Sequence, residues 1–103
     1  MALTIEEIKN ARRNLQGIIR ATPFERSAPL SDHTGMAVYL KAECLQRTGS
    51  FKLRGAYHKI ASLGTHEKKI GIVTSSAGNH AQGVGYAVSR FNIPCRIYVP
   101  PTV

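Results

Sequence analysis

Apolar positions Ile8, Ala11, Leu15, Ile18 and Ile19 recur at helical spacing near the start of the chain. Thr4-Ile5-Glu6-Glu7 before them fits a capping box, and Pro23 predicts where the helix stops. Residues 22–36, holding Pro23, Pro29 and Gly35, read as an irregular connection. Residues 37–43 then alternate, with Val38, Leu40 and Ala42 on one face and Tyr39, Lys41 and Glu43 on the other, which predicts a strand. Leu53, Ala56, Tyr57, Ile60 and Leu63 form a helical stripe that Ser50 can cap and Gly64 can end. The run "KIGIVTS" predicts a second strand. Val84, Ala87, Val88 and Phe91 mark a helix over 79–91, and "CRIYV" at 95–99 predicts a third strand.

Strands alternating with helices at this spacing predict an α/β fold with a parallel βαβαβ pattern. Three parallel strands with two crossovers make an incomplete sheet, since parallel sheets are covered on both faces. The chain is therefore expected to be the N-terminal part of something longer.

The composition of the 103 residues is that of an ordinary globular chain, 43% apolar and 19% charged. The net charge of +8 admits an anionic ligand, an acidic membrane surface or nucleic acid. Its distribution favours a solvated face, because no basic run exceeds two residues and no aromatic signature interleaves with it. Cys44 and Cys95 have no C-x-x-C spacing and lie in apolar strand patterns, so both are expected to be buried free thiols. The four histidines show no metal-ligand spacing, and neither a signal region nor a membrane-spanning run is visible. A cytoplasmic location is the default expectation.

Two strand-to-helix loops carry candidate chemistry, because ligands of α/β sheets gather at the carboxyl ends of strands. In "RTGSFK", Lys52 stands in the first turn of a predicted helix with Arg54 two residues on. The helix dipole and a neighbouring cation both disfavour an ammonium, and a free amine is what carbonyl chemistry needs. On position alone, an ordinary surface lysine is the favoured reading. In "TSSAGNHAQG", successive N–H groups beside a helix N-terminus suit an anion. Gly78 allows close approach or a positive φ, and Asn79 offers a donor and an acceptor. An ordinary capped turn also fits. The loop is not a P-loop, because Val84 stands where lysine is required, and it is not a dinucleotide fingerprint.

Together, "KAECLQRTGSFKLRGA" and "SSAGNHAQGVG" resemble the fold-type II pyridoxal-phosphate enzymes (the tryptophan synthase β-like fold), most closely threonine dehydratases (threonine ammonia-lyases) and the related serine dehydratases and racemases. "TPFERSAPLS" is similar to a segment of the same family, so the resemblance runs from about Thr22 to Pro100. It implies a pyridoxal 5'-phosphate cofactor held covalently by Lys52, with Phe51 beside its ring and Asn79 on its phenolic oxygen. It also implies a substrate-carboxylate cradle of Ser76, Gly78, Asn79 and His80, and β-elimination of water from L-threonine or L-serine to give a 2-oxo acid and ammonia. Isoleucine biosynthesis would be one setting for that reaction. Racemases of this family carry a second serine directly before the glycine of the cradle, where this chain has Ala77. Residues 1–53 are expected to belong to a larger domain with the lysine at its end, and 54–103 to begin a smaller one. The resemblance further implies an amino-acid substrate, no nucleic-acid or membrane partner, and a homo-oligomer for the full-length enzyme. The family's glycine-rich phosphate loop has no match in these residues, so this chain alone is expected to be inactive. The alternatives are a serine racemase or another lyase of the same fold, and, in another class, a non-catalytic basic binding module or inactive fragment.

Overall fold

The computed structural model describes residues 2–102. Helix α1 spans Ile5–Leu15. The Thr4 hydroxyl accepts the Glu7 N–H at 3.3 Å, while the Glu7 carboxylate accepts the Thr4 N–H at 2.7 Å. The predicted capping box is therefore present. The helix ends earlier than its apolar pattern, because Gln16 is extended and Gly17 turns left-handed at φ +74. Ile18 and Ile19 still pack on the core, from a turn rather than a helix.

The stretch read as an irregular connection contains strand β1 (Phe24–Arg26) and helix α2 (Ala28–Thr34). Ser27 caps α2, Pro29 lies in its first turn, and Gly35 ends it at φ +71. The residues that read as loop punctuation are start and stop signals for a helix too short to show periodicity. The expected strand over 37–43 is β2, Tyr39–Lys41. It pairs antiparallel with β1 instead of joining a three-stranded parallel sheet. A neighbour delivered by the short α2 connection takes its ladder first, and Ser27 N–H to Val38 O at 2.8 Å and Ala42 N–H to Pro23 O at 3.0 Å extend the pairing.

Helix α3 runs Lys52–Ala61, and a further short helix, α4 (Thr65–Ile70), precedes strand β3 (Ile72–Ser75). Helix α5 (Asn79–Phe91) crosses over to strand β4 (Cys95–Tyr98). The β3–α5–β4 unit is the predicted parallel one, with Ile72 opposite Cys95 and Ser75 opposite Tyr98. Asn92, left-handed at φ 52, stops α5.

The core lies between α3 and α5. Leu53, Ala56, Tyr57 and Ile60 meet Val84, Ala87 and Val88, with Leu15 and Ile93 closing the ends. The Tyr57 and Phe91 rings pack at 5.0 Å between centroids. Both cysteines are exposed, against expectation. Cys44 sits in a 3-10 turn at Glu43–Leu45 rather than in a strand, and Cys95 begins a strand of a sheet with only two members.

Candidate functional site

The approach to α3 is held by polar contacts, most of them partly buried. Gln46, 3% exposed, accepts the Arg20 N–H at 2.8 Å and donates to the Arg20 carbonyl at 3.0 Å. Arg47 Nε donates to the Ile18 carbonyl at 2.7 Å. Arg54 donates to the Glu43 carboxylate through both Nε and Nη2, each at 2.8 Å, and the Thr22 hydroxyl adds a bond of 2.6 Å. The Arg54 bonds, opposed by burial and helped by Thr22, the Arg54 charge and Gln46, hold the Glu43 carboxyl at about 2. Glu43 raises the Arg54 guanidinium in return. The Arg54 guanidinium is thus turned onto a carboxylate that is ionised at neutral pH.

Lys52 begins α3 and is exposed. Its N–H reaches Ser50 Oγ at 3.4 Å, and its Nζ lies 5.2 Å from the centroid of the Phe51 ring, itself 61% exposed. An amine and an aromatic face are thus presented together.

The second loop joins β3 to α5. Ser76 Oγ accepts the N–H groups of Gly78 at 3.2 Å and Ala81 at 3.3 Å, so the serine is the cap of this turn. Among the described residues the N–H groups of Asn79 and His80 have no partner. Gly78 has φ −136, so the positive φ does not occur. A Cβ there would meet nothing within 4 Å, which leaves room for close approach. Asn79 is exposed and makes no side-chain hydrogen bond among the described residues. His80 also borders an apolar cavity of about 460 Å³ with Ile60, Ile72 and Val84, on the flank of α5 toward β3 and α4.

Gly83 lets α5 rest against the start of α3. Its Cα rests against the peptide joining Lys52 to Leu53, and Asn79, four residues earlier, shares that helix face. Sequence reasoning weighed Gly83 only as part of a P-loop or dinucleotide motif, although a glycine inside an apolar helical stripe is a signal for close approach. It passed over the Thr22–Glu43–Arg54 cluster, whose members are too far apart in sequence to form a motif. A larger cavity of about 640 Å³, between α1 and the Lys41 and Arg54 side, contains none of the candidate residues. No group of three or more metal-binding side chains occurs among the described residues, and no helix there is long and apolar enough to cross a membrane.

The residues fit the amine-binding half of a pyridoxal-phosphate site: an exposed amine beside an aromatic ring, and unpaired N–H groups at a helix start with space over Gly78. A family model described as pyridoxal-phosphate dependent enzyme matches residues 15–103. The chain is 52% identical over 98 residues to an L-threonine ammonia-lyase of Thermotoga maritima, covering 95% of this chain and 24% of that protein. Among solved structures it is similar to the serine racemase of Dictyostelium discoideum, with TM-score 0.89 and 38% identity over 98% of this chain and 33% of that one. It is also similar to the processed form of threonine deaminase isoform 2 from Solanum lycopersicum, with TM-score 0.75 and 36% identity over 100% and 30% of the two chains. The chain spans about a quarter of the length of the curated relatives it matches. Its α/β architecture is that of part of a fold-type II enzyme, and the chain belongs to the family of pyridoxal-phosphate-dependent enzymes.

Proposed function

We propose that these residues form the amine and carboxylate half of the active site of a pyridoxal-phosphate-dependent ammonia-lyase that dehydrates and deaminates L-threonine, and L-serine as well. The observation that supports this is the placement by Gly83 of the α5 N-terminus against the start of α3, where Lys52 lies. The cofactor, when bound, supplies an electron sink for the pair left on the substrate Cα. Lys52 Nζ would hold the cofactor and would serve as the general base that takes the Cα proton. The Phe51 ring, 5.2 Å from that amine, would pack beside the cofactor ring. The exposed Asn79 side chain would donate to the phenolic oxygen of the cofactor. The N–H groups of Asn79 and His80 bind the substrate carboxylate, aided by the positive end of α5. Ser76 Oγ already accepts two N–H bonds, so its own proton is aimed outward as a donor to that carboxylate. Gly78 leaves room for the carboxylate to reach the N–H groups.

The second reading is a serine racemase, favoured by the likeness to the Dictyostelium enzyme. Ala77 cannot move a proton, and the capping bonds of Ser76 occupy the oxygen that a base would need. Both observations support one-base elimination. In the complete enzyme we place residues 1–53 in a larger domain and 54–103 in a smaller one that closes on it, as a cytoplasmic homo-oligomer. The test incubates the complete enzyme with L-threonine and with L-serine. Formation of 2-oxobutanoate and pyruvate without D-serine is expected, and substantial D-serine in the chiral assay would overturn the elimination reading.

A further inference from the structure

Three glycines lie inside the two helices that form the core, and they differ in what surrounds them. A Cβ on Gly55 of α3 would meet nothing within 4 Å, and one on Gly85 of α5 would only touch Ile97 Cδ1 at 4.0 Å. A Cβ on Gly83 would stand 3.1 Å from Leu53 N, 3.1 Å from Lys52 C and 3.2 Å from Lys52 O. These are backbone atoms of one peptide unit, not the free end of a side chain. Leu53 is fully buried beneath them, so the unit cannot swing aside. Helix α5 therefore touches α3 through its missing side chain, at the peptide that follows the candidate amine.

We propose that Gly83 is a positioning residue: by letting α5 rest on the Lys52–Leu53 peptide, it sets the separation between the Lys52 amine and the carboxylate-binding turn of Ser76–His80. The proposal rests on the reading of those residues as the amine and carboxylate sites. Any side chain at Gly83 pushes α5 outward, and the turn moves with the helix it begins. An alanine forces a shift of a few tenths of an ångström, and a valine more.

The test uses glyoxylate, an aldehyde that carries a carboxylate, and formaldehyde, which carries none. Each is condensed with the lysine amines of the 103-residue chain, with loss of water, and trapped by hydride from cyanoborohydride. Peptide mass spectrometry then compares labelling of Lys52 with that of the exposed Lys59 and Lys69. In the parent chain, glyoxylate is expected to favour Lys52 at least about threefold more than formaldehyde does. Gly83→Val is expected to abolish that preference and Gly83→Ala to halve it, with formaldehyde labelling unchanged. Gly55→Ala and Gly85→Ala should retain it. Circular dichroism establishes that each variant is folded, and if Gly83→Val is not, Gly83→Ala decides. A folded Gly83 variant with the parent's preference overturns the proposal and leaves the site reading standing. A parent without the preference removes the site reading, and the proposal with it.

Discussion

Arg54 grips the Glu43 carboxylate with two parallel hydrogen bonds of 2.8 Å each, tying the first turn of α3 to the segment after β2. The pair is partly shielded, with the Glu43 side chain 15% and the Arg54 side chain 31% exposed. Its carboxyl is lowered from 4.5 to about 2, chiefly by the Arg54 hydrogen bond. A carboxyl whose folded pKa is depressed stabilises the fold above its unfolded value and loses that contribution as pH falls through the folded one. Stability should therefore decline between about pH 4.5 and 2. Glu43→Gln should cost roughly 1.5–3 kcal/mol at neutral pH, because a charge-assisted pair is lost. Urea midpoints measured across this range should fall less steeply in Glu43→Gln than in the parent, and equal slopes would assign the acid sensitivity to another group.

Leu53 is 0% exposed at the α3–α5 contact, whereas Val73 is 70% exposed on β3. Leu53→Ala should cost roughly 2–5 kcal/mol through lost burial and a residual cavity. Val73→Ala should stay within about 0.5 kcal/mol. Urea denaturation of the two variants side by side checks the contrast, and similar losses would mean that the core has been misplaced.

Gly71 has φ +106, and a Cβ there would lie 2.7 Å from the Pro94 carbonyl oxygen. That oxygen accepts the Ile72 N–H at 2.9 Å, the first bond of the β3–β4 pairing. Gly71→Ala should combine backbone strain with a collision, costing roughly 2–4 kcal/mol. Amide exchange at Ile72 should accelerate before that at the buried Val88, and unchanged exchange at both would refute the role of this close contact.

Ser76→Ala removes the acceptor for the Gly78 and Ala81 N–H groups. A lost cap of this kind costs roughly 1 kcal/mol. Ser75→Ala, at an exposed position with no side-chain hydrogen bond among the described residues, is the matched control. Exchange at Ala81 should rise in the first variant only. If the control behaves alike, the hydroxyl of Ser76 does not organise the turn.

The 103 residues hold an amine, a flanking ring and a candidate carboxylate cradle, but no glycine-rich run for a phosphate. With an excess of pyridoxal phosphate and L-threonine, the chain should form no 2-oxobutanoate above the rate of free cofactor. Positioning accounts for roughly 7–11 kcal/mol of such barriers, and an amine alone does not orient the ring. Turnover at an ordinary enzymatic rate would show that a full site is already present here.

Local signals in the sequence determined α1, α3, α5 and the β3–α5–β4 unit, since capping residues and apolar periods longer than two turns act through near neighbours. They also marked Lys52 and the Ser76–His80 turn, because each stands where a loop becomes a helix. The short elements β1, α2 and α4 were not legible, having too few residues for a period to emerge. Pairing of β2 with β1 rather than with a parallel strand was decided by which ladder partner lay within reach. Exposure of Cys44 and Cys95 depended on what packs over them, not on the apolar letters around them. Only the tertiary structure turned Arg54 onto Glu43 and set Gly83 against the Lys52–Leu53 peptide. Those contacts join residues 11 and 31 positions apart, the first across the turn that leads into α3 and the second across the packed faces of α3 and α5.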